Sequence, residues 1–159
     1  MRKWISLTLL LAVIAAVPSL ATAQATLGPA VAFHDDFDLG VGAALNMPMQ
    51  EFGGGVGIMA DFYYFFPEGD LDYLEINANL VYGFALETTA VTPYILGGLN
   101  VANLSLDIPA ESQTEVGLNL GGGVDFDMGR FRPNIGVKIE VNGGEGLVVF
   151  AHLPFVIGN

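Results

Sequence analysis

The chain has 159 residues, no cysteine and a formal net charge of −12, with 52% hydrophobic but only 14% charged residues. The missing cysteines exclude disulfides, thiolate nucleophiles and thiolate metal sites, and the acidity argues against nucleic acid as a partner. Soluble domains carry about a quarter charged residues, so this balance asks for somewhere other than water to place apolar surface.

Arg2 and Lys3 precede an apolar run from Trp4 to Val17, followed by Pro18 and the small-residue site Ala21-Thr22-Ala23. That order is a secretory signal peptide, with cleavage expected between Ala23 and Gln24. The apolar run is too short for a spanning helix, which needs ~20 residues. We therefore expect residues 1–23 to be a leader and residues 24–159 to be one domain. Beyond the leader the only fixed cations are Arg130, Arg132 and Lys138, against 17 acidic residues. No later segment offers the ~18 consecutive apolar residues of a membrane helix.

Turn signals then divide the chain into eight runs of strand length. They are Ala25 to His34, Phe37 to Met47, Gly55 to Phe66, Tyr73 to Leu86, Val91 to Leu106, Thr114 to Met128, Phe131 to Asn142, and Leu147 to Ile157. Long strands joined by short turns predict an up-and-down antiparallel meander, and an even number of strands can close and remove its edges.

Alternation separates two faces. In the sixth run Val116, Leu118, Leu120, Val124, Phe126 and Met128 oppose Glu115, Gly117, Asn119, Gly121, Gly123, Asp125 and Asp127. In the seventh, Phe131, Pro133, Ile135, Val137, Ile139 and Val141 oppose Arg132, Asn134, Gly136, Lys138, Glu140 and Asn142. The fourth places Leu74, Ile76, Ala78 and Leu80 against Glu75, Asn77 and Asn79; the third places Ile58, Ala60 and Phe62 against Met59 and Asp61. The fifth run, with Gly97-Gly98 and two asparagines, allows either phase or a bulge. Glycine weakens an exposed strand, whereas the interior of an eight-stranded barrel is only wide enough for packed side chains. The glycine-rich polar face therefore belongs inside and the apolar face against lipid. Aromatics near strand ends, among them Phe33, Phe37, Tyr73, Phe126, Phe131 and Phe155, fit interfacial girdles.

The phrases TPYILGGLNVA (92–102), VGLNLGGGVDFDMGRFRP (116–133) and GLVVFAHLPF (146–155) resemble the last four strands of small outer-membrane barrels of the OmpA/OmpX-like, porin-family type. The resemblance implies an all-β, eight-stranded antiparallel transmembrane barrel in the outer membrane of a Gram-negative-type cell, monomeric, inserted by the barrel-assembly machinery and in contact with lipid and lipopolysaccharide. Such barrels often end on an aromatic residue; here Val156-Ile157-Gly158-Asn159 follow Phe155. By the family's topology the turns bearing Asp35, Asp36 and Asp38, then Glu68, Asp70 and Asp72, then Asp107 and Glu111, and finally Glu145 point outward.

These carboxylates could bridge to lipopolysaccharide through divalent cations, although no segment has calcium-loop spacing and a soluble rim is the simpler reading. Inside, Asp61, Glu75, Glu115, Asp125, Asp127 and Glu140 are expected to face Arg132 and Lys138, with His152 also inward. That set would form a polar plug, or a gate for small solutes, because uncompensated charge in low dielectric is costly. Catalysis is not expected. A lipid hydrolase would need His34, Ser105 or Ser112 and a loop carboxylate to meet, and no nucleophile motif supports that. GGGVG (53–57) and GGG (121–123) lack the following helix and lysine of a phosphate loop, so no cofactor is implied. The runner-up to the membrane barrel is a secreted soluble barrel with the apolar face inward around an apolar ligand.

Overall fold

A computed structural model describes residues 25–49, 54–67, 71–86, 90–106, 112–142 and 145–157. The expected leader, including Ala21, Ala23 and Gln24, lies outside the described residues. The described residues form nine strands: β1 Ala25–His34, β2 Asp38–Pro48, β3 Val56–Phe65, β4 Leu71–Gly83, β5 Val91–Leu106, β6 Ser112–Phe126, β7 Asn134–Val141, β8 Gly146–His152 and β9 Phe155–Ile157. Each pairs antiparallel with its sequence neighbour from β1 through β8, and β1 also pairs with β8 and β9, so the sheet closes.

The barrel has eight staves because β8 and β9 are one strand, interrupted. Ala30 pairs with His152 and Leu27 with Phe155, which is a single register across the gap. Pro29 and Pro154 lie at that gap, and neither has an N–H to give the ladder. Leu153 still donates to the Pro29 carbonyl at 2.9 Å. Gly28 is required there, since a Cβ would run into the backbone of Leu153 and Pro154.

The seventh strand begins at Asn134 rather than Phe131. The chain first makes a tight turn closed by the Met128–Phe131 bridge, with Gly129 at φ +81° and its N–H donated to the Asp127 carboxylate at 3.0 Å. Pro133, which lacks an N–H, delays the ladder further. The fourth strand runs from Leu71 to Gly83, two residues earlier at its start and three at its end than turn signals suggest.

The fifth strand has one phase and no bulge. Its ladders to β4 and β6 are unbroken from Leu71↔Leu106 to Gly83↔Tyr94 and from Val91↔Phe126 to Ser105↔Ser112. Tyr94, Leu96, Asn100 and Ala102 consequently face in, while Ile95, Leu99 and Val101 face out. Around the barrel the outward set is apolar, with Leu120 70% and Val116 63% exposed. Inward residues are polar, aromatic or small. The β1–β2 turn, with the β3–β4, β5–β6 and β7–β8 connections, marks one end; the other end carries the remaining connections, Ala25 and Ile157.

Candidate functional site: a closed polar lumen

Alternation delivers one inward side chain every second residue, so successive inward positions stack along the bore. β4 contributes Glu75, Asn77 and Asn79; β7, three strands around the wall, contributes Lys138 and Glu140; all five are buried. Lys138 Nζ lies 2.7 Å from Glu75 Oε1 and 2.7 Å from Glu140 Oε1. The Glu75–Lys138 pair therefore crosses the lumen from wall to wall. Asn77 Nδ2 donates to Glu75 Oε1 at 2.5 Å and to Asp61 Oδ1 at 2.7 Å. From β6, Asn119 Nδ2 donates to Asn77 Oδ1 at 2.7 Å and Asn79 Oδ1 at 2.9 Å.

Charged hydrogen bonds of this kind are stronger than neutral ones, and in a bore this narrow they leave little room for anything else. Lys138 also sits 5.8 Å from the Tyr63 ring centroid, inside cation–π range. The Tyr63 hydroxyl and His152 Nε2 share a hydrogen bond of 2.6 Å, and His152 stacks on Phe150 at 4.8 Å.

Glycines make the space for these rings. Gly123 and Gly136 are ladder partners facing the lumen. A Cβ on Gly123 would stand 2.6 Å from the Tyr94 hydroxyl, and one on Gly136 would stand 2.8 Å from the same atom and collide with Phe150. Two bulky inward rings are thus accommodated by two missing side chains on the wall.

The set anticipated from sequence occupies three levels rather than one. Asp61, Glu75, Lys138, Glu140 and His152 lie together in the buried centre. Arg132 does not face them: it pairs with Asp127 at 3.2 Å, both exposed, in the β6–β7 turn. Asp125, Asp127 and Arg132 line a cavity of about 300 Å³ at that end, together with Thr26 and Asn46. Glu115 is exposed toward the opposite end, accepting from Gln113 Nε2 at 2.8 Å. The expectation that Glu115, Asp125, Asp127 and Arg132 join the central network is corrected accordingly. Alternation gives the face of a residue but not its depth along a long strand.

Sequence reasoning put Asn77, Asn79 and Asn119 on the wet face without making them the hub they form. It also missed the cluster of His34, Phe37, Phe65 and Tyr73. His34 is fully buried, with its ring 4.8 Å from Phe37, 5.8 Å from Phe65 and 6.0 Å from Tyr73. Its Nδ1 accepts the Asp36 N–H at 3.0 Å, and Asp35 Oδ1 accepts the Leu147 N–H at 2.9 Å. The first bond closes the β1–β2 turn on itself, and the second fastens it to β8. The side chains of Ser105 and Ser112, and residues Glu68, Asp70, Asp107 and Glu111, lie outside the described residues. The arrangement around an apolar ligand fails on the faces themselves, because Leu, Val, Ile and Phe side chains point outward and polar ones inward.

No protein-family model matches this sequence, and the search of curated proteins found no match. Solved structures do match. The N-terminal β-barrel domain of Pseudomonas aeruginosa OprF superposes with a TM-score of 0.62 at 13% identity, covering 84% of this chain and 100% of that one. Neisserial surface protein A matches with a TM-score of 0.59 at 16% identity, over 85% of this chain and 96% of its own. The fold is that of the small outer-membrane β-barrels. Ail, the attachment invasion locus protein of Yersinia pestis, matches with a TM-score of 0.57 at 20% identity, over 83% and 94%. The closed antiparallel outer-membrane-type barrel read from alternation is therefore the observed one.

Proposed function

We propose that the protein is an integral outer-membrane barrel with a plugged lumen, serving envelope structure or surface contact rather than catalysis. One observation carries this reading: an apolar outward face surrounds a filled polar bore. Leu118, Leu120, Ile135, Val137, Ile139, Leu147 and Val149 are all exposed, on adjacent strands around the wall. In water such a surface would be far larger than the few hundred Å² of contiguous apolar patch that monomeric proteins tolerate. In hydrocarbon it is the expected outer band. Exposed Phe33, Tyr64, Phe66, Tyr82, Phe84 and Phe155 lie toward strand ends, where amphipathic rings meet headgroups. Lipid, lipopolysaccharide and the assembly machinery are the partners this reading implies.

The test is expression of the full chain, isolation of outer membranes and electrophoresis with and without boiling. Recovery in the membrane with a heat-dependent shift in mobility supports the proposal; recovery as a soluble protein defeats it. In planar bilayers the folded barrel should conduct little, because Glu75 and Lys138 span the bore at 2.7 Å. Steady large conductance of the unaltered protein would remove the plug from the proposal.

A further inference from the structure

The wall is not level at the end bearing the β1–β2 turn. β6 pairs with β5 as far as Ser105↔Ser112, but its ladder to β7 stops at Leu118↔Val141. There Asn142 enters the left-handed region at φ +57° and turns the chain away. It passes so close to Gly117 that a Cβ on the glycine would run into the Asn142 carbonyl. From Ser112 to Val116, β6 is thus held on the β5 side alone; among the described residues nothing pairs with its other edge.

The ladder also fixes which backbone groups face that edge. The Phe126 N–H donates to the Pro133 carbonyl, on the β7 side of β6. Along an antiparallel strand, successive residues turn their N–H and C=O groups to opposite sides, and no bulge interrupts either ladder of β6. Ser112, Thr114 and Val116 consequently present their N–H and C=O groups to the open edge. Such a row is a template for one more strand. The template is held in shape from behind, where Asn103 Nδ2 donates to the Thr114 hydroxyl at 2.8 Å. Gln113, Thr114, Glu115 and Val116 are all exposed.

Charge selects what the edge accepts. Glu115 lines a cavity of about 310 Å³ together with Asp36 and Glu145. A strand added to β6 would place every second side chain on the face that carries Glu115. Beyond residue 3 the only lysines and arginines are Arg130, Arg132 and Lys138. The first two belong to the β6–β7 turn at the opposite end, and Lys138 is engaged by Glu75 and Glu140. A second copy of this chain would bring its own carboxylates to the edge, where like charges repel. Lysine and arginine side chains would be drawn in.

We propose that the open edge of β6, from Ser112 to Val116, captures an extended basic segment of another protein by adding it as a strand. The backbone bonds supply affinity, and alternate lysine or arginine side chains facing Glu115 and Glu145 supply selectivity. This deepens the surface-contact role proposed above and rests on it.

The experiment is fluorescence anisotropy of a labelled peptide of alternating lysine and threonine, added to the full mature chain folded in zwitterionic micelles. The heat-dependent gel shift confirms closure of every variant. Saturable binding is expected. Thr114→Pro removes an N–H from the open edge without touching the ladder to β5, and should weaken binding about tenfold. Thr114→Ala keeps that N–H and should change affinity less than about twofold. Glu115→Lys should weaken binding about tenfold or more, whereas Asp38→Asn, at the same end but off the edge, should change it less than about twofold. The same peptide methylated on alternate backbone nitrogens keeps its charge but loses its strand bonds, and should bind at least about tenfold more weakly. Equal binding of the methylated peptide, or equal affinities of Thr114→Pro and Thr114→Ala, would reduce the interaction to diffuse attraction and overturn the proposal. So would absence of saturable binding. A concentration-dependent dimer of the unaltered chain, abolished by Thr114→Pro, would give the edge to a second copy and overturn it too. None of these failures touches the membrane barrel itself, which the gel shift reports separately.

Discussion

Lys138 meets buried carboxylates, touching Glu75 and Glu140 directly, and Glu75 is linked in turn to Asp61 through Asn77. Its removal should be far more harmful than its net contribution suggests, because the remaining charges cannot return to water. Lys138→Met is expected to cost about 3–5 kcal/mol, read as a lower urea midpoint in micelles. Adding Glu75→Gln to Lys138→Met should recover a large part of that loss. Arg132→Ala, which removes the exposed pair with Asp127, should cost less than about 1 kcal/mol. Both cations looked equivalent in the sequence, since both occupy the inward phase of the seventh run. What separates them is depth. Position along the bore depends on where the β6–β7 turn tightens, and that is fixed by Gly129, Pro133 and the Asp127 cap acting together.

Among the elements, the bodies of β6 and β7 were the most legible, because their alternation is nearly perfect, although the turn at Gly129 and Pro133 removes Phe131 to Pro133 from the seventh strand. β5 was not, since glycine and asparagine are compatible with either face; its phase is set by β4 and β6, whose ladders hold it on both sides. The glycines were legible as a class and not individually. Gly123 and Gly136 matter because Tyr94 and Phe150 reach toward them from other strands, a pairing no local pattern contains. Gly136→Val should destabilise by about 1–3 kcal/mol through overpacking. Gly136→Val combined with Phe150→Leu should recover part of the loss in the same unfolding assay, if Phe150 is the ring displaced.

The whole molecule is polarised in two directions. Across the wall it passes from apolar outside to polar inside, and this much could be read from the chain. Along the axis it passes from an end rich in carboxylates to an end that holds Arg130 and Arg132, an order that alternate turns along the chain already implied. The radial polarity predicts that Leu120→Arg, on the outward face near the middle of β6, would cost about 2–4 kcal/mol in a bilayer. Its mirror change, Asn119→Leu, alters no lipid contact and should act through the lost hydrogen bonds to Asn77, Asn79 and the Leu99 carbonyl. Comparing the two in lipid vesicles and in detergent separates the faces: the arginine penalty should shrink in the more adaptable micelle.

The paired prolines at the meeting of the first and last strands give the cylinder a seam of uneven strength. Here the sheet is fastened by two short zippers, Ala30–His34 with Val148–His152 and Ala25–Leu27 with Phe155–Ile157, whereas β5 and β6 are joined without interruption from Val91 to Ser105. Opening a short ladder exposes few bonds at a time and costs correspondingly little, so local opening spans a range of free energies across one structure. Amide exchange in the folded barrel should therefore be fastest at Phe155–Ile157 and slowest in the β5–β6 hairpin. A cylinder made this way has a preferred line along which it can part sideways while the rest of the wall stays shut.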